Sequence, residues 1–126
     1  MTDFNVVAKQ TLEYIETHLS GTLSVKQISS ELNFDRGDVV RAFRRAKGIT
    51  IKRYVDRRLA ERLNYWLMSG ERSGYEIGSE LGFNSDQAFY RWVKRVYGLP
   101  FRELKSQKRL DLSKVGGGEV PQPKRR

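Results

Sequence analysis

The sequence predicts an all-α fold, two helix-turn-helix subdomains joined by a long linker helix, and two observations carry that prediction. The first is a repeat: Ile28, Leu32 and Phe34 return as Ile77, Leu81 and Phe83, 49 positions on, and Arg41, Phe43 and Gly48 return as Arg91, Val93 and Gly98, 50 positions on. The one-residue slip falls in the turn. The second is a run of helical period between the copies, Ile51, Tyr54, Val55, Leu59, Leu63, Trp66 and Leu67. Thr50 can cap that run and Ser69-Gly70 breaks it. The predicted organisation is an N-terminal helix plus the first helix-turn-helix over 1–49, the linker helix over 50–69, the second helix-turn-helix over 70–107, and a flexible basic tail over 108–126.

Taken in order, residues 4 to 19 read as an amphipathic helix with Phe4, Ala8, Leu12, Ile15 and Leu19 on one side, a lid that completes the first unit's core. Acidic Glu13 and Glu16 are expected to make its outer side repel anions. The first copy opens on a capping box, Ser24 to Gln27, in which each side chain satisfies a free amide of the first helical turn. Val25, Ile28 and Leu32 then form a stripe ended at Asn33, and Asp35 can cap a second helix with Val39, Ala42, Phe43 and Ala46 inward. The linker pattern, Ile51 to Met68, spans about 27 Å as α-helix. In the second copy Ser73 and Glu76 make the capping box, Ile77 and Leu81 the stripe and Gly82 the stop. Ser85 can cap the next helix, where Phe89, Trp92, Val93 and Val96 face inward until Gly98. Small Ser29 and Gly78 are expected to let the paired helices cross closely. From about Ser106 the chain turns polar, passes Gly116-Gly117-Gly118 and ends in Lys124-Arg125-Arg126, which reads as a flexible tail.

What the core leaves over points to the function. The outward face of the second helix carries Arg36, Gly37, Val40, Arg41 and Arg44 in copy one, and Asp86, Gln87, Tyr90, Arg91 and Lys94 in copy two. An exposed helix fits the major groove of B-DNA, where arginine pairs with guanine, glutamine with adenine, and an apolar group touches the thymine methyl. Arg41 and Arg91 are therefore the expected base readers, Gln87 an adenine contact, and Val40 and Tyr90 thymine contacts. Arg36, Arg44 and Lys94 are expected to clamp phosphates. Asp86 repels phosphate; it either supports the helix N-terminus or accepts from a cytosine amino group.

A basic face on any one helix is more simply read as solvated. The distribution of charge argues otherwise here. The chain carries +9 overall, divided as −3 over residues 1 to 35, +7 over 36 to 66, −2 over 67 to 85 and +7 over 86 to 126. Positive charge thus begins with each reading helix and fades before the next copy, as phosphate partners would require. A basic nucleoid-type protein without sequence preference is a competing reading, but Val40, Gln87 and Tyr90 serve base edges better than phosphates. A repressor acting by occlusion needs the same reader as an activator. On the linker, Lys52, Arg53, Arg57, Arg58 and Arg62 stay open between backbone contacts and plain solvation.

An enzyme finds little support. The one histidine, His18, lies near the end of the first helix, where it suits the helix dipole. Glu13 with Glu16, or Asp56 with Glu61, sit on polar faces whose usual partners are nearby Lys or Arg. With no cysteine and no phosphate-cradling glycine loop, neither a metal nor another cofactor is expected. No run approaches the roughly 20 apolar residues of a membrane span, and a cytoplasmic location is the expectation.

The motif Ile77-Gly78 through Leu81-Gly82-Phe83, with Ser85, Phe89, Arg91, Val93-Lys94 and Gly98-Leu99-Pro100, resembles the second helix-turn-helix of the AraC/XylS transcription regulators. The resemblance covers roughly residues 5 to 107, and the layout is similar to the small stand-alone MarA/SoxS-type members. It implies an activator that enters two successive major grooves as a monomer on DNA and contacts RNA polymerase, for which the linker's basic face is a further candidate. Gly37 departs from the pattern, standing where the stand-alone members place a tryptophan, so the preferred site should differ. Phe101, Leu104 and Lys105 replace the usual end of the signature, and Phe101 and Leu104 are expected to pack on a helix begun by Pro100.

Overall fold

The computed structural model describes residues 3–70 and 72–107, which form seven helices and no strand: α1 (Phe4–Thr17), α2 (Val25–Leu32), α3 (Arg36–Lys47), α4 (Ile51–Ser69), α5 (Gly74–Glu80), α6 (Asp86–Tyr97) and α7 (Phe101–Gln107). The predicted tail lies outside the described residues. The caps explain why the helices start where they do. Ser24, Asp35, Thr50, Ser73 and Ser85 each accept a hydrogen bond from the backbone N–H three residues on, releasing one amide per helix from its need for water. Among the described helices, Ser73–Glu76 alone closes a full capping box. In the first copy Gln27 does not reach back; its amide donates to the Tyr14 hydroxyl at 3.0 Å and ties α2 to α1.

The first unit packs α1, α2 and α3 around Ile15, Ile28, Val39 and Phe43, all fully buried. The expected face of α1 is rotated. Val7, Ala8, Thr11, Tyr14 and Ile15 are its buried positions, Phe4 and Leu12 are half-buried, and Leu19 lies past the helix end at Thr17. Thr11 and Tyr14, outside the expected stripe, take part in it, and the Tyr14 hydroxyl is satisfied by the Gln27 amide. Ala46 points to solvent, since α3 runs beyond the core in its last turn. His18 occupies the C-cap of α1, its Nδ1 3.0 Å from the Tyr14 carbonyl and its ring stacked on Tyr14.

The second unit packs α5, α6 and α7 around Ile77, Leu81, Phe89, Val93 and Leu104. Gly78 sits under the Phe89 ring, where a Cβ would lie 2.9 Å from the ring carbon Cγ, so the small residue there does permit a close crossing. Phe101 and Leu104 are buried, as expected of packing residues.

Helix α4 carries Leu59, Ala60 and Leu63 on its inner side, all at most 1% exposed. Its acids and bases behave less locally than expected. Glu16 of α1 accepts from Arg58 of α4 at 2.8 and 2.9 Å and from the Tyr54 hydroxyl, while Glu61 pairs with Arg58 one turn away. Glu16 is thus a tie between helices more than a repellent surface charge. The Arg58 guanidinium, helped by the Tyr54 hydroxyl and opposed by burial, holds the Glu16 carboxyl down to about 2 from an ordinary 4.5. Burial and the same hydrogen bond push Tyr54 up to about 12.

A carboxyl whose pKa falls on folding stabilises the fold above its unfolded value and loses that contribution as pH drops through the folded one. Allowing for the pair's partial exposure, Glu16→Gln should cost about 1 to 2 kcal/mol at pH 7. Melting curves from pH 7 down to pH 2 check this: below about pH 4.5 the native protein should lose its advantage over the variant progressively. A gap between the two that stays constant with pH would contradict the assignment.

Candidate nucleic-acid interface

Each unit contains one helix, α3 or α6, built to the same plan. Both are 12 residues long, capped by Asp35 or Ser85 at the start and closed by a left-handed glycine at the end, Gly48 (φ 81°) or Gly98 (φ 77°). Those glycine N–H groups donate to the Arg44 and Lys94 carbonyls at 2.8 Å, satisfying the last turn. Val39, Ala42 and Phe43 anchor α3 inward, and Phe89, Trp92, Val93, Val96 and Tyr97 anchor α6. Rotation about each helix axis is thereby fixed, and the opposite face is left to solvent.

On α3, Arg36, Val40, Arg41 and Arg44 are exposed, and on α6, Gln87, Tyr90, Arg91 and Lys94 are exposed. All eight expected contact residues therefore lie outside the core, four on each helix. Two have neighbours that sequence reasoning missed. The Arg41 guanidinium folds back to donate to Asp38 at 2.9 Å, lying across Gly37, where a Cβ would stand 3.0 Å from Arg41 Nη1. Tyr90 packs its ring against Phe89 and Phe101, and its hydroxyl lies over Gly74, where a Cβ would come within 2.5 Å of it. Its apolar edge is accordingly half committed to the protein.

Asp38 was readable in principle, because a carboxylate three residues before an arginine on one helix is a neighbour. Arg45 and Arg95, each one residue past a predicted clamp, have structural work instead. Arg45 lies 5.0 Å over the Phe4 ring and Arg95 donates to Asp56 at 3.1 Å. Asp56 corrects an expectation: read as an acid on a polar helix face with nearby basic partners, it is buried on α4 and accepts from Trp92 Nε1 at 2.9 Å as well as from Arg95, both on α6. Asp86 stands in the first turn of α6, where a negative charge suits the helix N-terminus.

Among the described residues, no group of three or more His, Cys, Asp or Glu side chains could hold a metal ion. No helix among them is long and apolar enough to cross a membrane.

Two exposed helices of equal length, each the second of a tight helical pair, define a double helix-turn-helix. A family profile described as a helix-turn-helix domain matches residues 28–107, well over half of the chain. The chain belongs to the AraC/XylS family. Its relatives include YkgA of Escherichia coli K12, described as an HTH-type transcriptional regulator, 26% identical over 109 residues, which are 86% of this chain and 46% of that protein. The Msm operon regulatory protein of Streptococcus mutans is 28% identical over 71% of this chain and 32% of its own length. This AraC/XylS chain thus spans less than half the length of these curated relatives. The fold is shared with the C-terminal domain of AraT, a response regulator from Geobacillus stearothermophilus, at a TM-score of 0.73 and 17% identity, over 87% of this chain and 92% of that one. It is shared too with the C-terminal domain of the response regulator yesN from Fusobacterium nucleatum, at a TM-score of 0.66 and 21% identity, over 81% and 96%.

Proposed function

We propose that this AraC/XylS chain is a sequence-specific DNA-binding transcription regulator that inserts α3 and α6 into successive major grooves of one duplex. The observation that carries the reading is the matched pair of outward faces, with Arg41 and Arg91 at the same register on two equally capped helices. Arg41, Arg91, Gln87, Val40 and Tyr90 address base edges, and Arg36, Arg44 and Lys94 address phosphates. Activation, contact with RNA polymerase, binding as a monomer and a cytoplasmic location are part of the proposal and rest on the family resemblance.

Selection of bound duplexes from a random pool tests it. The expected result is a motif of two parts about one helical turn apart. Recovery of no motif would overturn sequence-specific reading in favour of a nonspecific basic protein. Salt titration is the companion measurement: the three phosphate clamps alone predict a slope of log affinity against log salt of about −2.7. Transcription in vitro from a promoter carrying the selected site reads the sign, and loss of transcript in place of gain would mark a repressor.

A further inference from the structure

Among the described residues, a direct backbone bond and polar ties through α4 join the two units. The Gly21 N–H, in the loop after α1, donates to the Leu81 carbonyl at 2.8 Å in the turn of the second unit. That contact is close on both sides, since a Cβ on Gly21 would stand 2.5 Å from the Phe83 ring and one on Gly82 would stand 2.5 Å from Ser20 Cβ. Helix α4 holds the first unit through Arg58 and Glu16. It holds the second through Asp56, whose carboxylate takes the Trp92 indole N–H at 2.9 Å and the Arg95 guanidinium at 3.1 and 3.4 Å.

Asp56 is the notable member. It is 8% exposed, and placing a carboxylate there removes it from water at a cost that an ion pair often only just offsets. Apolar side chains of similar volume would fill such a site with as much stability but without direction. What the carboxylate adds is direction: its two donors stand three residues apart on α6, so one group fixes both the rotation of that helix and its distance from α4. Arg91 and Lys94 each precede one of those donors by a single residue, and a helix turns about 100° per residue, so they are swung away from α4.

We infer that Asp56 is a positioning residue that sets the placement of α6 relative to α3, so that the protein accepts a single spacing between its two half-sites. This rests on the reading of α3 and α6 as DNA readers. The clamp itself is measurable without DNA.

The chain has no cysteine, so spin labels can be placed uniquely at Ser30→Cys on α2 and Ser79→Cys on α5, both exposed and outside the proposed interface. Pulsed dipolar spectroscopy should give one narrow inter-label distance in the labelled protein and a clearly broadened one after Asp56→Asn. Arg95→Gln, which keeps Asp56 and its bond to Trp92, should broaden it less and serves if the first variant fails to fold. On DNA, moving the selected half-sites by one base pair should weaken the otherwise native protein about tenfold or more, and the Asp56→Asn protein only about two- to threefold. An unchanged narrow distance and unchanged spacing preference in both variants would overturn the clamp. If no motif can be selected with the native protein, the DNA reading fails, and the label distances still decide the role of Asp56.

Discussion

Phe89→Ala should lower the stability of this protein by about 3 to 5 kcal/mol, the range for emptying a fully buried aromatic site. Phe89 is fully buried, with ring centroids of Phe83 and Phe101 each at 5.4 Å and Trp92 at 6.3 Å, and its ring rests directly on Gly78. An alanine leaves a cavity between α5 and α6 that rigid aromatic neighbours refill poorly. For a domain of this size the melting temperature should fall by about 15 to 30 °C, readable by circular dichroism. DNA binding should fall with it, because α6 depends on this core for its rotation. A loss under about 1 kcal/mol would mean that α6 is held by something other than its apolar face.

The second large effect concerns recognition. Arg91→Ala should weaken binding to the selected site by about 1 to 3 kcal/mol while changing affinity for random DNA little. Lys94→Ala should weaken both alike and make the salt slope shallower by about 1. Competition titrations with the selected site and a scrambled duplex separate the two outcomes, and equal losses from both substitutions would refute the assignment. Arg41→Ala should show the smaller effect of the two arginines. Arg41 donates to Asp38 in the free protein and must trade that bond for a guanine, whereas position 88, the counterpart of Asp38, is an alanine.

Much of the fold was legible because its signals are local. Cap residues, left-handed Asn33 and Gly98, and the stripes of α3, α4 and α6 are spelled out within a few positions of where they act. The repeat then placed the outward faces of α3 and α6 by subtraction. What escaped depends on partners far along the chain. Asp56 looks like any helix-surface acid until Trp92 and Arg95, 36 and 39 residues on, close over it. Glu16 meets Arg58 across 42 residues, and the burial of Tyr14 follows from Gln27 taking its hydroxyl. Spacing rules see neighbours three or four residues apart; they have no access to a pair brought together by the docking of two units.

The two turns also differ in what they demand of the residue at the helix end. Asn33 and Gly82 occupy equivalent places, and both adopt positive φ, 61° and 84°. Asparagine suffices for the backbone, as the first copy demonstrates. Glycine at 82 answers a different demand, since any side chain there would collide with Ser20 of the neighbouring unit. The two turn positions are thus not equivalent in what they tolerate: an asparagine at 82 would press on Ser20 and force the seam between the units to open.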